Sequence, residues 1–401
     1  MTTVIALTMM VASYALASET TPSPATQPAY QRLSLALSRY RAMEAHGGWP
    51  ALTTDLILKP GSEDDRVVLL RQRLLSEGDL PTMAVEGRKF DEMLATAVKR
   101  FQARHGLVAD GRVGRKTLSE LNITAHDRVA QIAANLERWS ELSVQLPSRR
   151  LEINIPAAEL VAFDENRPIM SMRVVVGTNQ NPTPVLRSQV IAVVFNPSWT
   201  VPTSIVRNEI LPRLRQDPLY LRRNGIQIID RPADPYGEKI GWTSPDRPRT
   251  LALRQQPGPK NALGRIKFDI PNVYSVYLHD TANKNAFSEQ SRAMSHGCIR
   301  VQHPEDLARY ILRDQLRADP ELVARALTET KTVEVKVTES VPVLIVYQTA
   351  FVTADGVVNF RPDVYSRDVR QRVSHNQPNY PKYRGSLVAS TTGCGHAQGP
   401  G

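Results

Sequence analysis

At Pro147 the spacing of apolar residues changes period, and that change limits the chain to a mixed architecture. Upstream, Val67, Leu70 and Leu74 recur at three and four, as do Phe90, Leu94, Ala97 and Phe101. Such spacing lines one face of an α-helix. Downstream, Leu151-Glu152-Ile153-Asn154-Ile155 alternates, and Met172–Val176 and Val190–Phe195 are short β-branched runs separated by Gly, Pro and Asn. These are strand signals. A chain of 401 residues also exceeds the roughly 250–300 over which one core grows. The expected fold class is α+β: a mostly β domain with a helical insertion, preceded by a small three-helix domain.

The segments follow from local composition. Val4–Ala17 is almost unbroken apolar and ends in Ala15-Leu16-Ala17 before Ser18-Glu19-Thr20. Residues 1–17 read as a cleavable export signal, although no Lys or Arg precedes the apolar core. A Pro/Thr linker follows at 18–29, and Leu33, Leu37 and Tyr40 mark a helical scaffold segment within 30–59. The helical unit spans 60–122, with a glycine stop at His105-Gly106 and a turn at Asp110-Gly111. A connecting helix within 123–148 carries Val129, Ile132, Ala133, Leu136 and Trp139 on one face. The β domain spans 149–350, interrupted at 203–250 by a helical, Pro-rich insertion that is a candidate lid. Within it, strands are expected at 250–253, 264–270 and 273–278, with a helix at 304–317. Residues 351–368 extend the domain, and the acid-free 369–401 read as a disordered basic tail.

Fifty Lys+Arg against forty Asp+Glu give +10, a surface suited to anionic polymers. No nucleic-acid recognition motif accompanies it, so nucleic acid is not an expected partner. No later stretch reaches the ~20 apolar residues of a bilayer span. The two cysteines, Cys298 and Cys394, exclude a disulfide scaffold and a Cys₄ metal site. In an exported chain they would ordinarily pair.

The densest reactive cluster is Ser295-His296-Gly297-Cys298-Ile299-Arg300, with Tyr277-Leu278-His279-Asp280-Thr281 nineteen residues upstream. A cysteine becomes a nucleophile when its surroundings favour thiolate over a thiol of pKa ~8.5. An imidazole can do this and later return the proton to a leaving group. Strand alternation puts Tyr277 and His279 on one face, and Cys298 and Arg300 likewise. The thiol then sits beside a cation suited to a substrate carboxylate. Gly297 allows close backbone approach, so N–H groups there could hold an oxyanion.

The string His, spacer, Ser-His-Gly-Cys-hydrophobic-Arg resembles the signature of the L,D-transpeptidase (YkuD-type) catalytic domain. Phe195–Pro202, Pro257–Gly264 and Val346–Ala350 agree with it. The phrase Phe101-Gln102-Ala103-Arg104-His105-Gly106-Leu107, with Asp110–Gly114 and Thr117-Leu118, is similar to a three-helix peptidoglycan-binding domain. Together the likeness covers about 30–368 and points to the large periplasmic subgroup with a substrate-capping insertion. The resemblance implies Cys298 as nucleophile and His279 as base. It implies Ser295, His296 and Gly297 as residues shaping the site, with Arg300, Tyr277 and Asn261 as candidate substrate contacts. The group that orients His279 stays open between a backbone carbonyl and Asp280. By the same resemblance the substrates are peptidoglycan tetrapeptide stems, donor and acceptor, joined 3→3 through a thioester, and carbapenems are expected inhibitors. No cofactor and no metal is implied, and the compartment is the periplasm. The family nucleophile works as a free thiol, so a Cys298–Cys394 bridge, which would leave the enzyme latent, is not expected.

Three other readings compete. Water in place of the acceptor amine would make the same dyad a carboxypeptidase or a cross-link cleaver. A zinc site from His279, His296, Cys298 and His396 is disfavoured by the tight His-Gly-Cys spacing and the lack of a His-Glu-x-x-His motif. A non-catalytic wall-binding scaffold would use only the helical unit and the tail.

Overall fold

The computed structural model describes residues 27–368 except 54–56, 83–85, 142–145 and 245–247. The export signal at 1–17, the basic tail at 369–401 with Cys394, and most of the linker lie outside the described residues. Helix begins at Gln27, inside the segment read as linker.

Five N-terminal helices come first: α1 Gln27–Ala45, α2 Arg66–Ser76, α3 Glu92–Arg104, α4 Arg115–Leu121 and α5 Ala125–Glu141. Leu70, Leu74, Leu94 and Phe101 form the core of the α2–α4 unit, all fully buried. Asp91 caps α3, its side chain accepting from Leu94 N at 2.8 Å, which satisfies an otherwise orphaned donor. Gln102 ties the following turn together. Its Nε2 donates to Asp110, the Arg112 carbonyl and Thr117, while its Oε1 accepts from Gly111 N. The phrase that suggested a glycan module is therefore, at Gln102, Asp110 and Gly111, a device for closing a tight turn.

A buried ionic cluster fastens this unit to α1. Glu77 accepts from Tyr40 Oη, Arg73 and Arg104, each at 2.6 Å. Arg104 also pairs with Asp79 at 2.6 Å. Burial opposes ionisation of Glu77, but Arg104 and Arg73 outweigh it and hold its carboxyl well below the usual range. His105, buried and neutral, stacks 3.8 Å from the Phe101 ring and faces Phe360 at 5.5 Å. The helical unit is thus joined to the C-terminal extension as well.

The β domain closes on itself. Among the described residues a nine-stranded sheet runs Ala293–Ser295, Arg167–Gly177, Ile299–Val301, Leu278–His279, Ile266–Asp269, Leu186–Phe195, Val333–Val346, Arg150–Asn154, Glu159–Asp164. The last strand pairs back to Arg167–Gly177, making a barrel with Ala293–Ser295 as a branch. Inward residues such as Leu151, Val174, Val193, Phe268, Leu278, Ile299 and Val343 are fully buried.

Several expected boundaries shift. The run expected as a strand from 273 contributes only Leu278–His279. Asn272 draws the chain into a loop, accepting from the N–H of Tyr274 and Val276 and donating to the carbonyls of Ile270 and Val276. The strand expected at 250–253 is Leu253–Gln255, and the helix at 304–317 divides into Pro304–Ile311 and Arg313–Ala318. The insertion packs with its flanking segments around a separate core of Val206, Leu214, Leu221, Leu253 and Trp242. A separate sheet of Trp199–Thr200, Leu253–Gln255 and Ile226–Ile228 joins the insertion to the segments on either side of it. No helix among the described residues is long and apolar enough to cross a membrane.

Removing the Glu77 carboxylate would leave Arg73 and Arg104 buried with their charge uncompensated. Glu77→Ala is expected to cost about 3–5 kcal/mol, read as a lowered midpoint in urea unfolding followed by circular dichroism.

Candidate active site

Two short strands build the site. Leu278–His279 and Ile299–Val301 pair in parallel, Ile299 opposite Leu278 and Arg300 opposite His279. Leu278 and Ile299 point into the barrel and are fully buried. Alternation sends Tyr277, His279, Cys298 and Arg300 to the other face. Cys298 packs there with Tyr277 and Leu263, and the Tyr277 and His279 rings lie 5.7 Å apart.

His279 Nδ1 donates to the Asp280 carbonyl at 2.5 Å. A carbonyl can only accept, so Nδ1 carries the hydrogen and Nε2 is left as the basic nitrogen. The orienting group is therefore the backbone carbonyl of Asp280, one of the two options the sequence left open. The Asp280 carboxylate has another task. It accepts from Thr281 N, Arg265 N and Lys284 Nζ, fixing the loop that presents that carbonyl. Gly264 makes room for it, since a Cβ there would fall 2.4 Å from Asp280 Cγ, at φ +62.

Burial first, and the Arg300 charge second, push the His279 pKa down to about 3. The sequence reading has an imidazole favour the thiolate; in this structure the ring is a neutral base. Cys298 is not a free thiol here either, because its sulfur is in a disulfide. This departs from the expected free nucleophile. With the sulfur bridged, no thiolate charge is present to draw a proton onto the imidazole. Cys394, the chain's other cysteine, lies outside the described residues.

Ser295 and Gly297 shape the turn that carries Cys298. Ser295 Oγ donates to the Cys298 carbonyl at 2.6 Å and accepts from Gly297 N at 3.1 Å. The Gly297 N–H expected to face an oxyanion is thus committed within the turn. Gly297 adopts φ +109, a region that disfavours a side chain. Thr183 braces the turn from outside, its hydroxyl donating to the Gly297 carbonyl at 2.8 Å. Tyr365 braces Thr183 in turn, accepting from Thr183 N and donating to the Gly177 carbonyl.

Asn261 does not face a substrate. It is 1% exposed, its amide donates to the carbonyls of Pro197 and Gln256, and its Oδ1 accepts from Leu263 N. It clamps a loop. The Tyr277 hydroxyl is also engaged, by Trp199, and burial pushes its pKa up. Arg300 contrasts with both: it is half-buried and makes no ion pair within 4.0 Å among the described residues. His296 is exposed, and its Nε2 lies 2.7 Å from Glu209 Oε1 of the insertion. Thr183, Tyr365 and Glu209 were absent from the candidate residues, because nothing in the linear string marks a brace supplied from far along the chain. Among the described residues no three His, Cys, Asp or Glu side chains group as a metal site.

Residues 148–343 match the YkuD L,D-transpeptidase catalytic domain family, and residues 63–121 match a family described as "Putative peptidoglycan binding domain". The chain thus carries an L,D-transpeptidase catalytic domain behind a peptidoglycan-binding-type module. A Haemophilus influenzae protein named "Putative L,D-transpeptidase" is 34% identical over 223 residues, or 54% of this chain and 44% of that protein. The match spans less than half the length of that relative. Among solved structures, an L,D-transpeptidase from Stackebrandtia nassauensis is similar at 14% identity, covering 65% of this chain and 90% of that one, with TM-score 0.26. Another, from Xylanimonas cellulosilytica, has 15% identity, coverage of 73% and 99%, and TM-score 0.23. The assignment rests on the sequence matches.

Two tests follow from this geometry. Gly264→Ala forces a methyl group against a carboxylate held by three donors and strains a left-handed backbone. It is expected to destabilise by at least about 1–3 kcal/mol and to lower turnover through misplacement of His279, checked by thermal melting and a rate assay on the same preparation. The second concerns acid. His279 titrates near 3 when folded and near 6.5 when unfolded. Between those values the unfolded chain binds more protons, so stability falls as pH drops from about 6.5 to about 3. Melting temperatures across this window should fall less steeply in His279→Asn than in the wild type.

Proposed function

We propose that the protein is a peptidoglycan L,D-transpeptidase that joins stem peptides 3→3 through a Cys298 thioester, in an exported, periplasmic location. The observation that carries the reading is the shared face of Cys298, His279 and Arg300 on two paired strands. Once reduced, Cys298 passes its proton to His279 Nε2 and its sulfur attacks the carbonyl of the third residue of a tetrapeptide stem. The carbonyl carbon–nitrogen bond breaks, terminal D-alanine leaves as an amine protonated by His279, and a thioester remains. An amine of a second stem attacks the thioester. The Cys298–acyl bond breaks, the new amide forms, and the thiol is regenerated. No nucleotide is consumed, because one amide replaces another.

The neutral His279 suits this role, since a ring already protonated could not accept the thiol proton. A nearby cation favours thiolate as well, and Arg300 lies on the same face. Arg300, half-buried and without an ionic partner among the described residues, suits a donor carboxylate. Exclusion of water by the insertion at 203–250 would favour the amine over hydrolysis. On the same reading, β-lactams of the carbapenem class are acylating inhibitors of Cys298.

Incubating reduced protein with tetrapeptide-rich sacculi, followed by mass analysis, tests the proposal. Wild type is expected to yield 3→3 dimers, with Cys298→Ala losing them by at least 10³-fold, on the order found when a nucleophile is removed. Tripeptides without dimers would instead make the protein a hydrolase. Dimers from Cys298→Ala would overturn the cysteine mechanism.

A further inference from the structure

An acidic side chain of the insertion, Glu209, touches the catalytic turn, and its placement goes beyond general water exclusion. Glu209 lies in the π-helical turn Val206–Ile210, between the helical stretches Thr203–Ile205 and Leu211–Gln216. Pro212 follows immediately and has no N–H to offer the regular ladder. Leu211 N instead reaches back to the Val206 carbonyl, the wider spacing of a π turn. From this turn the Glu209 carboxylate meets His296 Nε2 at 2.7 Å.

Two arginines act on this carboxylate. Arg213, one turn on, approaches its other oxygen at 4.0 Å. Glu209 is also the acidic group whose charge reaches Arg300, opposing the burial that draws that guanidinium down. A partly exposed carboxylate therefore contacts His296, two residues before Cys298, and acts electrostatically on Arg300, two residues after it. That is the position required of a donor's terminal carboxylate on the reading above.

We infer that Glu209 is a resident counter-ion of the donor-carboxylate site. While the site is empty it holds the insertion against the catalytic turn. A bound donor carboxylate takes over its contact with His296 and its electrostatic influence on Arg300, so that donor binding and release of this latch are one exchange of anions. The inference rests on the proposed donor, and it makes Glu209 a positioning and specificity residue: it selects against weakly anionic ligands, which cannot displace it.

The test uses full-length reduced protein, Glu209→Gln, and two donors, a disaccharide tetrapeptide with a free terminal carboxylate and its terminal carboxamide. Exchange of a partly exposed ion pair changes affinity by about two- to fivefold. Glu209→Gln should therefore lower KM for the carboxylate donor by about two- to fivefold and leave that for the carboxamide unchanged. The ratio of tripeptide to dimer should also rise as the insertion loosens. Hydrogen–deuterium exchange at the amides of 206–216 gives a readout without turnover, with Glu209→Gln exchanging faster than wild type at unchanged melting temperature. An unchanged exchange rate overturns the latch whatever the products are, and so does an unchanged or raised KM for the carboxylate donor. If the wild type turns over no stem peptide, the proposed function fails, while the exchange comparison still judges the latch.

Discussion

Ile299 lies opposite Leu278 and Arg300 opposite His279, and this parallel register decides what the rest of the site can be. Strand side chains alternate, so a slip of one residue would send Cys298 and Arg300 into the barrel and Ile299 out to solvent. Burial of Leu278 and Ile299 resists that slip, at roughly 1.5–3 kcal/mol for each apolar side chain returned to water. The hydrophobic core therefore sets the reactive geometry, although no reactive group belongs to it.

Around those strands the fold supplies fixed partners where a catalytic residue needs only one freedom left. His279 has one nitrogen committed to a carbonyl and one available. The Asp280 side chain, the nearest acid in sequence, is used to hold the carbonyl still. Ser295 and Gly297 satisfy one another inside the turn, and Thr183 anchors it from outside. Each of these choices removes a competing hydrogen bond from the reacting face. Arg300 is treated differently, left half-buried without a fixed ionic partner, as suits a group whose partner arrives with the ligand.

Much of this could be read from sequence, and the reasons are specific. The switch at Pro147 gave the mixed architecture because apolar period reports directly which face an element buries. The shared face of Tyr277, His279, Cys298 and Arg300 followed from alternation alone, even though the first strand is far shorter than its apolar run suggests. Asn272 explains that difference: its amide and carbonyl satisfy four backbone groups locally, so the chain loops rather than pairing. Asn261 misled because a polar residue in a motif looks the same whether it faces ligand or clamps its own loop. The protonation state of His279 was invisible, since it depends on burial that no local pattern encodes. Glu209 and Thr183 lie 89 and 115 residues before Cys298 and Tyr365 lies 67 after it, and only the folding of the barrel and its insertion brings them near.

The family match ends at residue 343, inside the strand Val333–Val346, yet Tyr365 holds Thr183, and Thr183 holds the turn that carries the sulfur. Homology and mechanical integrity thus draw different borders for the same domain. A fragment cut where the likeness stops would keep every reactive side chain but lose its last strut, so a silent excised domain would report poor surgery rather than missing chemistry.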